Sequence, residues 1–128
     1  MQVATIPRTL TDEAFPTGLS YTLIVDADNL DPIEQDILAG SWSPSPAFAW
    51  LLAVIAPGDQ VLDVGAHIGT FALPASAAEP TVTAVGASPW NATLLRTARD
   101  TNRFSNLTVV EKAVDRVPGP FPSWMPVR

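Results

Sequence analysis

The chain contains no cysteine. Disulfide bonds, thiolate catalysis and cysteine-ligated zinc are therefore excluded. Charge is also sparse. Charged residues make up 16% of the chain, acids outnumber bases 13 to 7, and the formal net charge is −6. Binding to a phosphate backbone requires clustered Lys and Arg, so nucleic acid is not an expected partner. The first residues, M-Q-V-A-T-I-P-R, lack the basic-then-apolar layout of a secretory signal. No apolar run approaches the ~20 residues of a membrane-spanning helix, so no membrane partner is expected and a cytoplasmic location is. Two glycosylation-type sequons, Asn91-Ala92-Thr93 and Asn106-Leu107-Thr108, then read as chance occurrences.

What is present suits one folded domain. A chain of 128 residues buries roughly two-thirds of the surface its unfolded form exposes. An apolar content of 47% argues against general disorder. Thirteen prolines punctuate the sequence and separate its segments. Leu19 to Val25, L-S-Y-T-L-I-V, is β-branched and aromatic and predicts a strand. Asp31, Pro32 and Glu34 resemble a helix start, with an N-cap acid, a first-turn proline and an acid at the third position. That helix is expected to reach Ala39 and stop at Gly40. Phe48 to Ala56 is apolar on every side and predicts a buried helix ended by Pro57-Gly58.

A different rhythm follows. Val61 to Val64 reads as a short buried strand, followed by a glycine turn and a helix from Ile68 to Ala78. Thr81 to Val85 is a second strand. Ser88-Pro89 opens a helix to Asn102, with Leu94, Leu95 and Ala98 as its apolar face. Leu107 to Val110 is a third strand. Strand, helix, strand, helix, strand is the pattern of an open parallel sheet. Beyond Val114 the pattern stops, and the tail R-V-P-G-P-F-P-S-W-M-P-V-R has no period.

The turn V-L-D-V-G-A-H-I-G-T, Val61 to Thr70, carries the chemistry. Gly65 and Gly69 sit where a strand must become a helix, and they enclose the only histidine, His67. Glycine there permits unusual backbone angles and close approach of a ligand. Amides at the helix start are expected to face an anion. Asp63 lies at the carboxyl end of the strand, where open α/β sheets bind ligands. The dinucleotide fingerprint G-x-G-x-x-G lacks its middle glycine here, and no phosphate-binding G-x-x-x-x-G-K-[ST] exists.

An acid ahead of the first glycine resembles motif I of class I S-adenosylmethionine-dependent methyltransferases. The longer run A-P-G-D-Q-V-L-D-V-G-A-H-I-G-T-F is similar to the FkbM-type family, whose members show P-G-D-x-V-x-D-V-G-A-N-I-G-x-F. The likeness continues through V-T-A-V-G-A-S-P-W-N-A-T-L-L-R and N-L-T-V-V-E-K-A-V-D, and spans Asp31 to Asp115. It implies a Rossmann-like α/β fold with an open, mostly parallel sheet. Residues 1–30 then form an N-terminal strand and extension, 31–115 an incomplete cofactor-binding unit, and 116–128 a Pro-rich tail. The implied cofactor is S-adenosylmethionine, held by Asp63, Gly65, Ala66, His67, Gly69, Gly86 and Glu111. The implied activity is O-methylation of a small molecule or sugar.

Three departures matter. The family carries asparagine at the position of His67, which on its own reads as a solvent-facing turn residue able to hydrogen-bond a carboxylate. The family pattern F-E-P-S-P reads V-G-A-S-P here, so Gly86 replaces the acid expected to bind the ribose hydroxyls. Each lost charge-assisted hydrogen bond weakens binding by ~1.5–3 kcal/mol. No acid-bearing fourth strand is evident either, so no catalytic base can be named. A non-catalytic, truncated binding or assembly module is the rival reading, and a dinucleotide binder is a third. Without a fourth strand, Val61 to Val64 would carry an open edge, which Leu19 to Val25 or a second copy of the chain would cover.

Two further groups carry no chemistry at this level. Asp26, Asp28 and Asp31 lack the spacing of a calcium loop and read as a capped turn. Trp42, Phe48 and Trp50 read as core or interface packing.

Overall fold

The computed structural model describes residues 1–116 and 118–120. The expected strand at Leu19 to Val25 lies within a longer one, β2 (Phe15–Asp26). It pairs antiparallel with a strand that sequence reasoning missed, β1 (Val3–Asp12), from Val3 opposite Asp26 to Asp12 opposite Phe15. Pro7 hides β1 in the sequence, since proline removes a ladder donor. The position is harmless because β1 pairs on one side only. Alternation is visible once the strand is known: Ala4, Ile6 and Leu10 turn inward, while Val3, Thr5, Pro7 and Thr9 face solvent. The acids after β2 form a turn, with Asp26 Oδ1 accepting from the amides of Gln2 and Asp28.

Helix α1 (Pro32–Ala39) has the expected ends. Asp31 Oδ1 accepts from the Glu34 amide at 2.7 Å, and Gly40 closes the helix in the left-handed conformation at φ 74°. Helix α2 (Pro46–Val54) starts at Ser45, whose hydroxyl accepts from the Phe48 amide. It is not a buried helix as expected. Only Leu52 is buried, and Trp50 is 64% exposed. An all-apolar helix is buried only where layers cover each of its sides, and the described residues cover one.

The second half forms β3 (Gln60–Val64), α3 (Ala72–Ala77), β4 (Thr81–Gly86), α4 (Pro89–Asn102) and β5 (Leu107–Glu111). The three strands are parallel in the order β3-β4-β5, with Val61 opposite Val82 and Val82 opposite Leu107. This is the α/β pattern expected. Ser88 caps α4, accepting from the Asn91 amide. Helices α3 and α4 pack on one face of this sheet and carry β2 on their other side. The core lies on both sides of that helical layer, with Leu23, Ile24 and Val25 of β2 and Leu73, Leu94, Leu95 and Val82 almost fully buried.

The other face of the parallel sheet is bare at β3. Leu62 is 67% and Val64 54% exposed. The expectation of a buried strand is therefore corrected: β3 buries one face and one edge only. Among the described residues no strand pairs with its outer edge, because β2 pairs with β1 instead.

Candidate functional site

The glycine turn begins where β3 ends. Gly65 adopts φ +79°, His67 φ +56° and Gly69 φ +98°. Three positive φ angles at alternate residues are met by glycine at two of the positions and need something to hold the third. The amides of Gly65 and Ala66 both donate to the Val85 carbonyl, at 2.8 and 3.0 Å, which stitches the turn to the end of β4. The Gly69 amide donates to the Ala66 carbonyl. One expectation is corrected here: the helix starts at Ala72 rather than Ile68. The amides of Gly65, Ala66 and Gly69 hold the turn's own shape.

What the turn offers a ligand is bare backbone. A Cβ added to Gly65 or Gly86 would meet nothing within 4 Å. Gly69 differs. Its added Cβ would lie 2.6 Å from Leu95 Cδ1 and 2.8 Å from Leu73 Cγ, so this glycine serves close packing of the turn on the helices.

A cavity of about 250 Å³ lies between the turn and the end of β4. Gly65, Ala66, His67 and Gly86, four of the residues expected from sequence, line it. So do residues that sequence reasoning did not single out: Ala87, Ser88 and Asn91 at the start of α4, and the apolar Ala92, Leu95 and Val109. Asn91 Oδ1 is buried without a hydrogen-bond partner, an acceptor that invites an N–H or O–H donor. The signal for these residues was present in S-P-W-N, because a capped helix starting at the carboxyl end of β4 must border the same crevice.

The remaining expected residues stand at the margins. Asp63 does not line the cavity. It is half-buried on β3, its Oδ2 has no hydrogen-bond partner, and desolvation by burial raises its carboxyl pKa. Glu111 lies opposite Gly86 in the ladder, but its carboxylate accepts from Arg96 Nη1 at 3.2 Å, outside the cavity lining.

His67 is not the solvent-facing turn residue expected. Its side chain is 20% exposed, and Nε2 lies 2.5 Å from Asp31 Oδ2 and 3.5 Å from Glu34 Oε1. Helix α1 thus reaches the turn. Sequence reasoning read Asp31 and Glu34 as capping residues alone. The missed signal was spacing: Glu34 stands one helical turn before the buried Ile37 and shares its inward face.

No protein-family model matches the chain, and no curated protein does. Solved structures do. P. horikoshii TYW2, solved in complex with MeSAdo, superposes with a TM-score of 0.54 at 19% identity, over 88% of this chain and 38% of its own. Trm5b from Pyrococcus abyssi gives 0.56 at 12% identity, over 87% and 36%. A SAM-dependent methyltransferase from Agrobacterium tumefaciens gives 0.51 at 15% identity, over 81% and 31%. The chain shares, in part, the Rossmann-like α/β fold of these proteins. At these identities the likeness concerns the fold, and the chain spans less than two-fifths of each of these proteins.

Proposed function

We propose that this methyltransferase-fold chain binds S-adenosylmethionine in the crevice between the glycine turn and the end of β4. The observation that carries the reading is the shared cavity of Gly65, Gly86 and Asn91 at the carboxyl ends of parallel strands. The residues fit the cofactor's chemistry. Bare backbone at Gly65 and Gly86 admits close approach, and Ala87, Leu95 and Val109 offer an apolar wall to a flat ring. The buried Asn91 oxygen would accept from an exocyclic amine. Small-molecule sites usually exceed ~300 Å³, so this cavity suits the nucleoside part, with the methionine end along the turn near Asp63.

Bound S-adenosylmethionine supplies an electrophilic methyl group on a sulfonium. The chain's own part is to orient the cofactor, since methyl transfer depends mainly on in-line positioning of the acceptor. The FkbM-like run points to a hydroxyl of a sugar or small molecule as acceptor. A second reading is favoured by one observation. Gly86 stands where an acid would hold the ribose diol, and Glu111 beside it is engaged with Arg96. A non-catalytic module that retains the fold is the reading this supports. Titration calorimetry with S-adenosylmethionine tests the first proposal. Saturable binding that Gly65→Trp abolishes while the fold persists supports it, and absence of binding at millimolar cofactor overturns it.

A further inference from the structure

We infer that Asp31 and Glu34 are positioning residues for the cofactor turn, acting through His67. The inference rests on the cofactor reading for its consequence and on geometry alone for its cause. His67 holds a left-handed backbone conformation that a non-glycine residue seldom adopts unless its surroundings enforce it. One enforcing contact is already clear, the pair of hydrogen bonds that the Gly65 and Ala66 amides donate to the Val85 carbonyl. It anchors the turn to β4 on the near side of His67. The far anchor is α1, 36 residues earlier in the chain.

The chemistry of that second anchor is specific. With Asp31 ionised, its carboxylate only accepts, and the bond is then His67 Nε2–H donating to Asp31 Oδ2. The other oxygen, Oδ1, accepts from the Glu34 amide and starts α1. One carboxylate therefore both opens the helix and clamps the turn. Glu34 adds a fully buried carboxylate whose Oε1 lies 3.5 Å from the same nitrogen. That separation is longer than an ordinary hydrogen bond. Two acids one helical turn apart thus converge on a single imidazole, which lines the cavity between Ala66 and the start of α4. The position of α1 and the shape of the turn are coupled through this ring.

The test uses amide hydrogen exchange at Gly65, Ala66 and Gly69, measured by NMR on the 128-residue chain, with S-adenosylmethionine affinity as a second readout. His67→Gly removes the ring while making the left-handed backbone easier to adopt. The clamp predicts faster exchange at the three turn amides, by about tenfold, with the β1–β2 hairpin unchanged. Backbone preference alone would predict unchanged or slower exchange, and that result overturns the inference. His67→Asn should restore slow exchange, because asparagine tolerates this conformation and its amide can donate to Asp31. Asp31→Asn keeps the helix cap but exchanges a charged acceptor for a neutral one, and should fall between wild type and His67→Gly. Where the wild type binds cofactor, His67→Gly should lose affinity by about tenfold, equivalent to ~1.4 kcal/mol. If the wild type does not bind, the cofactor reading fails while the exchange data still decide the clamp. The three side-chain atoms also lie within 4.8 Å of one another, close enough to share a metal ion. A melting shift on adding zinc or manganese that is lost in His67→Asn would overturn the clamp in favour of a metal site.

Discussion

Asn102 completes the edge of β2 with its side chain. Its Oδ1 accepts from the Thr22 amide at 2.7 Å, and its Nδ2 donates to the Thr22 carbonyl at 2.8 Å, across 80 residues of sequence. The primary amide imitates a neighbouring strand for one residue, and so fastens the hairpin to the last turn of α4. The same Nδ2 also donates to the Ala98 carbonyl. Replacing Asn102 by Leu leaves a partly buried donor and acceptor unsatisfied, at a cost of about 2–4 kcal/mol. Urea unfolding should show that loss, and a change within 0.5 kcal/mol, roughly the range of a surface substitution, would contradict it.

The two glycines of the turn should respond differently to a methyl group. Gly69→Ala combines left-handed strain with overlap on Leu95 and Leu73, about 2–5 kcal/mol together. Gly65→Ala meets open space and carries the strain alone, about 1–2 kcal/mol. Cofactor affinity should follow the reverse order, because it is Gly65 that borders the cavity. Melting temperatures and calorimetry on the two variants check both orders.

Gly86→Glu should strengthen S-adenosylmethionine binding about tenfold or more, through charge-assisted hydrogen bonds to the ribose. The position has room, since nothing lies within 4 Å of an added Cβ. Calorimetry reads the outcome directly, and weaker or unchanged binding would show that this strand end does not meet the sugar.

Asp63 gives the chain a pH dependence. Its carboxyl is raised from an ordinary value of 3.8 by desolvation. Ionisation is therefore harder in the folded chain than in the unfolded one. Stability from this group is present below 3.8 and is lost as pH rises through the raised folded value. Asp63→Asn should remove that decline and leave the folded chain more stable at neutral pH. Denaturation midpoints measured from acid to neutral pH would show the wild-type fall and its absence in the variant. Cofactor binding should weaken in the same variant if the acid serves the methionine end.

The bare edge and outer face of β3 predict self-association or capture of a partner. Light scattering at micromolar concentration should report a mass that rises with concentration. Leu62→Lys, which places a charge on the exposed face, should return the chain to a monomer. A wild-type mass that stays monomeric at all concentrations contradicts this.

Much of the fold was legible because its punctuation is local. Asp31-Pro32, Ser88-Pro89 and Gly40 mark helix ends through contacts within a few residues, and these ends stand where the sequence placed them. The parallel unit was legible from its rhythm of apolar runs. Burial was less so. The apolar character of Phe48 to Ala56 and of Val61 to Val64 says what these segments tolerate, whereas burial depends on which layers exist to cover them. The site divides along the same line. The turn glycines announce themselves, while the spacing of Glu34 and Ile37 marks only the inward face of α1, and the His67 it meets lies far along the chain.

The parallel sheet also ends at β5 without a further strand among the described residues, so it has two unlike rims. If β3 of one copy meets β3 of another, the strands run antiparallel about a two-fold axis and the pair closes on itself. If β3 meets β5, every strand keeps the same direction and the new sheet again ends in one rim of each kind. Growth in that mode has no natural end. The rim chosen at the first encounter therefore separates a finite dimer from a filament.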